Sequence, residues 1–207
     1  MIKNKLFNEI FSLIYTKKVL DVGCIEHTAD SQEINPFWVH GFFFNYSDVL
    51  GIDILREDIK KLRKKGYNIR FGDAETFSFK EKFDVVFAGE LIEHLSNPGK
   101  FLDQSMKHLK KDGKLILTTP NTFYLPRLVG RIARLDDNPP VNPEHTCWFS
   151  PKTITSLLER HGFKVNKIIM FDAAAPKETL RSKVKNIIGN LISKKIKGSM
   201  LVIASRN

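Results

Sequence analysis

The sequence has few cysteines and no long apolar run, and each scarcity argues against a class of protein. Only two of the 207 residues are cysteine, Cys24 and Cys147, and no Cys-x-x-Cys pair occurs. Two cysteines do not make a disulfide framework, and we expect a reducing, cytoplasmic setting. No stretch approaches the roughly 20 apolar residues that a helix needs to span a bilayer. We therefore expect a soluble protein, with attachment to a membrane surface left open.

The N-terminal residues 1–18 are basic and then partly apolar. Asn8 and Glu9 interrupt the apolar part and no small-residue cleavage site follows, so we expect a helix here rather than a signal peptide. The chain as a whole carries a net charge of +10. Such a balance favours an anionic partner, which could be nucleic acid, a membrane surface or a negatively charged small molecule. Hydrophobic residues make up 42% of the chain, enough for one substantial core, so we expect a single domain over residues 1–207.

Strand-like and helix-like segments alternate along the chain. Seven short segments rich in Val, Ile, Leu and Phe are predicted strands: 18–23, 48–53, 67–72, 82–89, 113–120, 164–171 and 199–205. Between them, terminal glycines and a Ser-Pro start predict helices at 56–66, 97–113, 150–163 and 177–198. Near-continuous apolar strands suit a parallel sheet covered on both faces. The alternation predicts a Rossmann-like, doubly wound α/β fold with a seven-stranded, mostly parallel sheet.

Acidic residues stand at the ends of four consecutive predicted strands. Asp21, with Gly23 two residues later, ends the first, Asp53 ends the second, Asp73 follows the third and Glu90 follows the fourth. Open α/β sheets bind ligands beyond the carboxyl ends of their strands. An acid in the position of Asp53 either accepts hydrogen bonds from both hydroxyls of a ribose or caps the following helix. The four acids together favour the ligand.

Six segments, taken in order, resemble one known family. They are VLDVGC (19–24), GIDI (51–54), GDAE (72–75), FDVVFAGELIEHLSNPGKFL (83–102), LKKDGKLILTTPN (109–121) and HTCWFSPKTITSLLERHGF (145–163). The chain resembles the class I S-adenosylmethionine-dependent methyltransferases, and among them the small-molecule enzymes that include the ubiquinone-biosynthesis O-methyltransferases. The stretch ELIEHLSNP is the most specific part of the resemblance.

The resemblance implies S-adenosylmethionine as the cofactor and gives residues to each of its parts. The implied contacts are Asp21, Gly23, Cys24, Ala88, Gly89 and Glu90 for the methionine, Asp53 for the ribose, and Ile54, Asp73 and Ala74 for the adenine. Where the family has its second and third glycines, this chain has Ile25 and His27. The first loop therefore departs from the family pattern.

An O-methyltransferase needs a base near the acceptor hydroxyl, and histidine suits that task at neutral pH. His94 is the first candidate because it follows the fourth strand, and His145 is the second; either one can instead be a hydrogen-bonded structural histidine. Glu90, at the end of the fourth strand, is a further catalytic candidate. On a helix, Glu90, Glu93 and His94 share one face and could hold a divalent cation such as Mg²⁺. In similar ubiquinone-pathway enzymes the Glu-x-x-Glu-His pattern is associated with a metal, although many relatives keep Glu-His without one.

Three further segments have two interpretations each. The aromatic stretch 35–48, with Trp38, Phe42 and Phe43, forms either helix core or a lid over the site. The run Asn-Pro-Pro-Val at 138–141 follows the fifth strand rather than the fourth, so we interpret it as a loop and not as the motif of adenine N-methyltransferases. The basic helix 177–198 packs on the core with a solvated lysine face, or it docks onto anionic lipid or RNA.

The sequence thus predicts a methyltransferase that acts on a small, possibly anionic acceptor, most simply at oxygen. Acceptor contacts are expected from the N-terminal helix, from residues 35–48 and from the 120–149 region. The alternatives are an RNA methyltransferase and a catalytically silent S-adenosylmethionine-binding partner protein. The sequence leaves the oligomeric state open.

Overall fold

A computed structural model describes residues 2–25, 28–30, 38–124, 143–171 and 197–207. Seven strands in these ranges form one sheet: β1 (Lys18–Val22), β2 (Asp48–Asp53), β3 (Ile69–Phe71), β4 (Phe83–Gly89), β5 (Leu109–Pro120), β6 (Phe163–Phe171) and β7 (Ser199–Arg206). Their order is β3-β2-β1-β4-β5-β7-β6. The first five strands pair in parallel, whereas β7 runs antiparallel to both β5 and β6. The predicted Rossmann-like, mostly parallel fold is confirmed.

Helices pack on the sheet between the strands. They are α1 (Ile2–Ile14), α2 (Val39–Tyr46), α3 (Arg56–Lys64), α4 (Pro98–His108) and α5 (Pro151–Arg160), with a 3₁₀ turn at Ile92–His94. Side chains cap the last two α-helices. Asn97 accepts a hydrogen bond from the Lys100 N–H, and Ser150 exchanges bonds with Thr153 in a capping box. The starts of these two helices are therefore fixed by Asn97 and Ser150, each of which is followed by a proline.

The predicted helix 97–113 is too long by five residues. Leu109 is buried and pairs with Phe83, so the chain leaves the helix after His108 and enters β5 four residues earlier than predicted. The register between β4 and β5 then shifts between Phe83 and Val85. Gly113 permits this irregularity, because a Cβ there would lie 3.1 Å from the Lys110 carbonyl oxygen and 3.2 Å from that of Asp84.

Apolar side chains cover both faces of the sheet. One core cluster includes Phe101 and Leu158, from α4 and α5, and another on the opposite face includes Ile14 and Phe43, from α1 and α2. Burial on both faces explains why the strand sequences are almost continuously apolar. Within the stretch 35–48, Phe43 is fully buried, Trp38 is buried and Phe42 packs against the core. These aromatic residues form helix core, and the lid alternative is not supported.

Several predictions fall wholly or partly on residues that lie outside the described ranges. They are the Asn-Pro-Pro-Val loop at 138–141, the basic helix 177–198 except for its last two residues, residues 35–37 of the aromatic stretch, and residues 125–142 of the region expected to contact the acceptor. His27 of the first loop also lies outside them. Each helix in the described part of the chain is too short or too polar to cross a membrane.

Candidate active site

The carboxyl ends of the parallel strands meet at one edge of the sheet. There β1 lies between β2 and β4, and the strand order changes direction between β1 and β4. Open α/β sheets bind ligands in the crevice at such a point. The register places the end of β1 beside the end of β2, since Val22 pairs with Ile52. Asp53 therefore follows directly beside the loop that begins at Gly23.

Asp53 ties this first loop to the next one. Its carboxylate accepts the Ile25 N–H at Oδ2 (2.8 Å) and the Leu55 N–H at Oδ1 (3.1 Å). The Asp53 side chain does not cap α3, because the residue before that helix is Leu55 and it has no side-chain cap. Burial raises the pKa of Asp53, and the two N–H groups oppose that rise. Each carboxylate oxygen keeps a second lone pair, so the group can still accept hydroxyl donors from a ligand.

Gly23 is required by its backbone and by its neighbour. It has φ of +71°, and a Cβ there would lie 2.9 Å from Cδ1 of Leu91, which packs across from the β4 end. The Gly23 N–H donates to the Ile52 carbonyl (2.9 Å). The chain therefore turns tightly at this point, with its backbone close to the β4 loop.

Asp21 and Cys24 lie beneath the loop. Asp21 is buried, and its Oδ2 is 2.9 Å from Nδ1 of His40 in α2. The Cys24 carbonyl accepts the indole N–H of Trp38 at 2.8 Å. Burial raises the pKa of the Cys24 thiol, and the Asp21 and Asp53 carboxylates raise it further. Two of the predicted methionine contacts, Asp21 and Cys24, thus lie inside the protein. Asp21 is hydrogen-bonded to His40 of α2, and Cys24 to Trp38, the residue before α2.

The predicted adenine contacts lie at the ends of β2 and β3. Ile54 is 62% exposed and Asp73 is exposed, so both side chains are accessible to a ligand. Ala74 is buried below them. Arg56 stands over the ring of Phe71 at 3.5 Å, and these two residues border the same side of the sheet. No sequence motif predicted that pair.

At the end of β4, Glu90 adopts a left-handed conformation with φ of +47°. Its N–H donates to the carbonyl oxygen and to Oγ1 of Thr118, both at 3.0 Å. Ala88 is buried, Gly89 is half-buried and the Glu90 side chain is exposed. Left-handed φ in a residue other than glycine costs about 1–2 kcal/mol. Such strained positions cluster at functional sites.

The expected helical face of Glu90, Glu93 and His94 does not form. Glu90 precedes the 3₁₀ turn in its left-handed conformation, so it does not stand one helical turn below Glu93. His145 takes its place in the cluster. Glu93, His94 and His145 each offer one ligand atom, and these atoms lie within 4.8 Å of one another. The imidazole rings are 4.6 Å apart, edge to face.

Glu93 is the buried member of this cluster, only 1% exposed. Its Oε2 accepts the hydroxyl of Thr119 at 2.9 Å. Burial, with the nearby Glu90 carboxylate, raises the pKa of Glu93 to about 8. Near neutral pH this carboxyl is therefore mostly protonated, unless a cation binds and displaces its proton.

The segment with His145 is held against the β4–α4 connection. The N–H groups of Thr146 and Cys147 donate to the Glu93 carbonyl, and the Thr146 hydroxyl donates to the Leu95 carbonyl at 2.8 Å. Trp148, 37% exposed, lies 5.6 Å from the His145 ring. These bonds bring together residues that are about 50 positions apart in the sequence. No local pattern could have predicted the pairing of Glu93 with His145.

The fold is that of a doubly wound α/β protein, and its candidate site lies at the switch point of the sheet. A family model described as "Methyltransferase domain" matches residues 3–168. The chain belongs to this methyltransferase domain family, and the predicted class is confirmed.

Curated relatives and solved structures agree with this assignment. The chain is 25% identical over 159 residues to "Ubiquinone biosynthesis O-methyltransferase" of Photobacterium profundum, covering 71% of the chain and 63% of that protein. It is 28% identical over 167 residues to the mitochondrial protein of the same name from Homo sapiens, covering 73% of the chain and 42% of that protein. The matches thus span less than two thirds of either relative.

Among solved structures, a SAM-dependent methyltransferase from Archaeoglobus fulgidus aligns with a TM-score of 0.65 at 22% identity, covering 99% of this chain and 93% of that one. Magnesium protoporphyrin IX methyltransferase from Synechocystis PCC 6803, solved with bound SAH, aligns with a TM-score of 0.63 at 14% identity, covering 98% and 83%. At these identities the likeness supports the fold. The predicted S-adenosylmethionine cofactor agrees with the chain's membership of the methyltransferase domain family.

Proposed function

We propose that this protein transfers the methyl group of S-adenosylmethionine to a hydroxyl oxygen of a small-molecule acceptor. The observation that carries the proposal is the cluster of Glu93, His94 and His145 beside the loop that follows β4. It puts two imidazoles and a buried carboxyl next to the switch point of a methyltransferase sheet. The O-methyltransferase names of the relatives support oxygen as the acceptor atom.

The strand ends have the features that the cofactor needs. The free lone pairs of Asp53 suit the two ribose hydroxyls, and the exposed face of Ile54 suits the adenine ring. Gly23 lets the methionine part approach the backbone closely. Asp73, exposed at the end of β3, is free to accept the adenine amino group at its second carboxylate oxygen, since Oδ1 takes the Glu75 N–H.

The bound sulfonium supplies the reactive methyl group, and the chain supplies alignment and proton removal. His94 or His145 takes the proton of the acceptor hydroxyl as the oxygen attacks. Glu93, neutral near pH 7, itself adds no negative charge beside the neighbouring imidazoles at that pH. The exposed ring of Trp148, 5.6 Å from that of His145, offers an apolar surface for an acceptor beside these bases.

A divalent cation is a second use of the same three side chains. Two imidazole nitrogens and one carboxylate oxygen suit a transition-metal ion such as Zn²⁺ better than the expected Mg²⁺, which prefers oxygen ligands, and the 4.8 Å spread of the three atoms allows one ion to reach them all. Turnover that is lost in chelator and restored by Zn²⁺ or Mg²⁺ would support a metal. Turnover that is indifferent to chelator would remove it.

The experiment has two stages. Calorimetry with S-adenosylmethionine tests binding, and a turnover screen with hydroxylated small molecules, anionic ones included, tests the chemistry. The two variants to compare are His94→Gln and His145→Gln. The one that lacks the base should have a kcat at least tenfold lower than wild type, with the cofactor Kd unchanged. His161→Gln, which alters a surface histidine bonded to Asp103, is the matched control. No cofactor binding by the wild-type protein would refute the proposal.

The two alternatives give different results in the same assays. A catalytically silent partner protein would bind the cofactor and turn over no acceptor. An RNA methyltransferase would bind RNA with a steep dependence on salt and would methylate it. Neither alternative is favoured by a specific contact in the described residues.

A further inference from the structure

A buried acid–imidazole pair lies directly under the proposed cofactor loop. Asp21 Oδ2 and His40 Nδ1 are 2.9 Å apart, and the two side chains are 4% and 0% exposed. Nδ1 of His40 therefore donates to the carboxylate, and the tautomer is set by that bond. The other ring nitrogen, Nε2, is buried and has no hydrogen-bond partner in the described part of the structure. For stability alone, apolar side chains of similar volume would serve at least as well as a buried polar pair.

The neighbouring strand β2 has room for this pair because one of its residues, Gly51, has no side chain. A Cβ on Gly51 of β2 would lie 2.6 Å from Cε1 of His40 and 2.7 Å from Sγ of Cys24. Real Cβ atoms do not approach other atoms so closely. The imidazole and the Cys24 thiol thus both pack on the backbone of Gly51, within the strand that ends in Asp53.

Trp38 makes a second link from the same stretch of chain. Its indole N–H donates to the Cys24 carbonyl at 2.8 Å, and its ring lies 5.5 Å from that of His40. Tyr67 closes the cluster with its ring 4.9 Å from Trp38. The short stretch Trp38–His40 therefore fastens both Asp21, before Gly23, and Cys24, after it.

From this arrangement we infer that His40 is a positioning residue for the cofactor. The inference rests on the proposed function. A glycine-rich loop can fit its backbone to a ligand, whereas here Ile25 replaces a glycine and is buried. The loop is instead held in shape from below, by His40 through Asp21 and by Trp38 through Cys24. The cofactor affinity then depends on a hydrogen-bond donor that the cofactor does not touch.

The test compares three variants by calorimetry with S-adenosylmethionine and by thermal unfolding. His40→Leu removes the donor, and His40→Asn keeps a side-chain N–H where Nδ1 stands. His108→Leu is the matched control. His108 is also buried, but it bonds the Gln104 carbonyl and the Phe79 N–H, away from the loop.

We expect His40→Leu to weaken cofactor binding at least tenfold, His40→Asn to stay within about threefold of wild type, and His108→Leu to lower Tm without changing the Kd. In turnover assays the His40→Leu defect should appear in the cofactor KM more than in kcat. Equal Kd values for wild type and folded His40→Leu would overturn the inference, as would equal losses in His40→Leu and His40→Asn. If His40→Leu does not fold, Gly51→Ala displaces the ring instead, and an unchanged Kd there would also overturn it. Wild-type protein that fails to bind the cofactor would refute the proposed function itself, which is a separate outcome.

Discussion

Asp53→Asn separates the structural task of this carboxylate from its proposed task in binding. Asn has one acceptor oxygen, whereas Asp53 uses both of its oxygens on the N–H groups of Ile25 and Leu55. We expect the amide oxygen to face Ile25, which is buried, and leave the half-buried Leu55 N–H to water. An unsatisfied buried polar group costs about 1–3 kcal/mol, so the loss of this bond by the partly hydrated Leu55 N–H should cost about 1 kcal/mol. Loss of a charge whose pKa is raised by burial offsets part of this cost.

The expected fall in stability is therefore small, and the expected fall in affinity is large. For a chain of this size, about 1 kcal/mol lowers Tm by about 2–4 °C. A hydrogen bond to a charged group contributes about 1.5–3 kcal/mol, which corresponds to a rise of about tenfold to a hundredfold in the cofactor Kd. Differential scanning calorimetry and titration calorimetry measure the two quantities on the same preparation.

Asp58→Asn is the control for this prediction. Asp58 also accepts a backbone N–H of the first connection, that of Ala29 at 2.9 Å, but it lies in α3 and not at a strand end. Its substitution should lower Tm by a similar few degrees and leave the Kd unchanged. Wild-type affinity in Asp53→Asn, or an equal loss in Asp58→Asn, would refute the assignment of Asp53 to the ribose.

Two further predictions concern the loop after β4. The pKa of Glu93 is about 8 in the folded protein and 4.5 in its unperturbed state. Between these two values the folded protein holds more protons than the unfolded chain, so the free energy of unfolding falls as pH rises. In metal-free buffer we expect that free energy to fall by about 4 kcal/mol from pH 5 to pH 9. Glu93→Gln should flatten that curve in urea denaturation, and a wild-type curve just as flat would contradict the assignment. Glu90→Gly and Thr16→Gly both relieve a left-handed conformation and should each stabilise the protein by up to about 1 kcal/mol. Only Glu90→Gly should raise the Kd for the cofactor, which titration calorimetry measures. Equal Kd values for the two variants would count against a binding role of Glu90.

The order of strands and helices could be predicted because its signals are local. Apolar runs marked the seven strands, the first five of them ending in Gly, Asp or Pro, and Ser150 with Pro151 marked the start of α5. The end of α4 could not be predicted in this way. Leu109 begins a strand because Phe83, 26 residues earlier, pairs with it, and the polar Lys-Lys-Asp-Gly that follows gave no sign of a strand.

The site was predicted in its outline and missed in its contacts. Asp53 and Gly23 stand where the strand-end argument put them, next to each other across β1 and β2. His40 gave no signal, since it lies within an aromatic helix and its partner Asp21 is 19 positions away. Glu90 was expected on a helix, and only its left-handed φ shows why it is not. His145 joins Glu93 through backbone bonds that depend on the folded sheet.

The position of β7 has a consequence for how this chain is made. It lies between β5 and β6 although it comes last of the seven along the sequence. Because β6 precedes β7 along the chain, it leaves the ribosome before its neighbour in the sheet does. The strands β1 to β5, with the proposed cofactor residues, are by then complete and can pair with one another. The part of the sheet that carries the proposed cofactor residues can therefore form early, while β5 stays an open edge and β6 stays unpaired until residues 199–206 arrive.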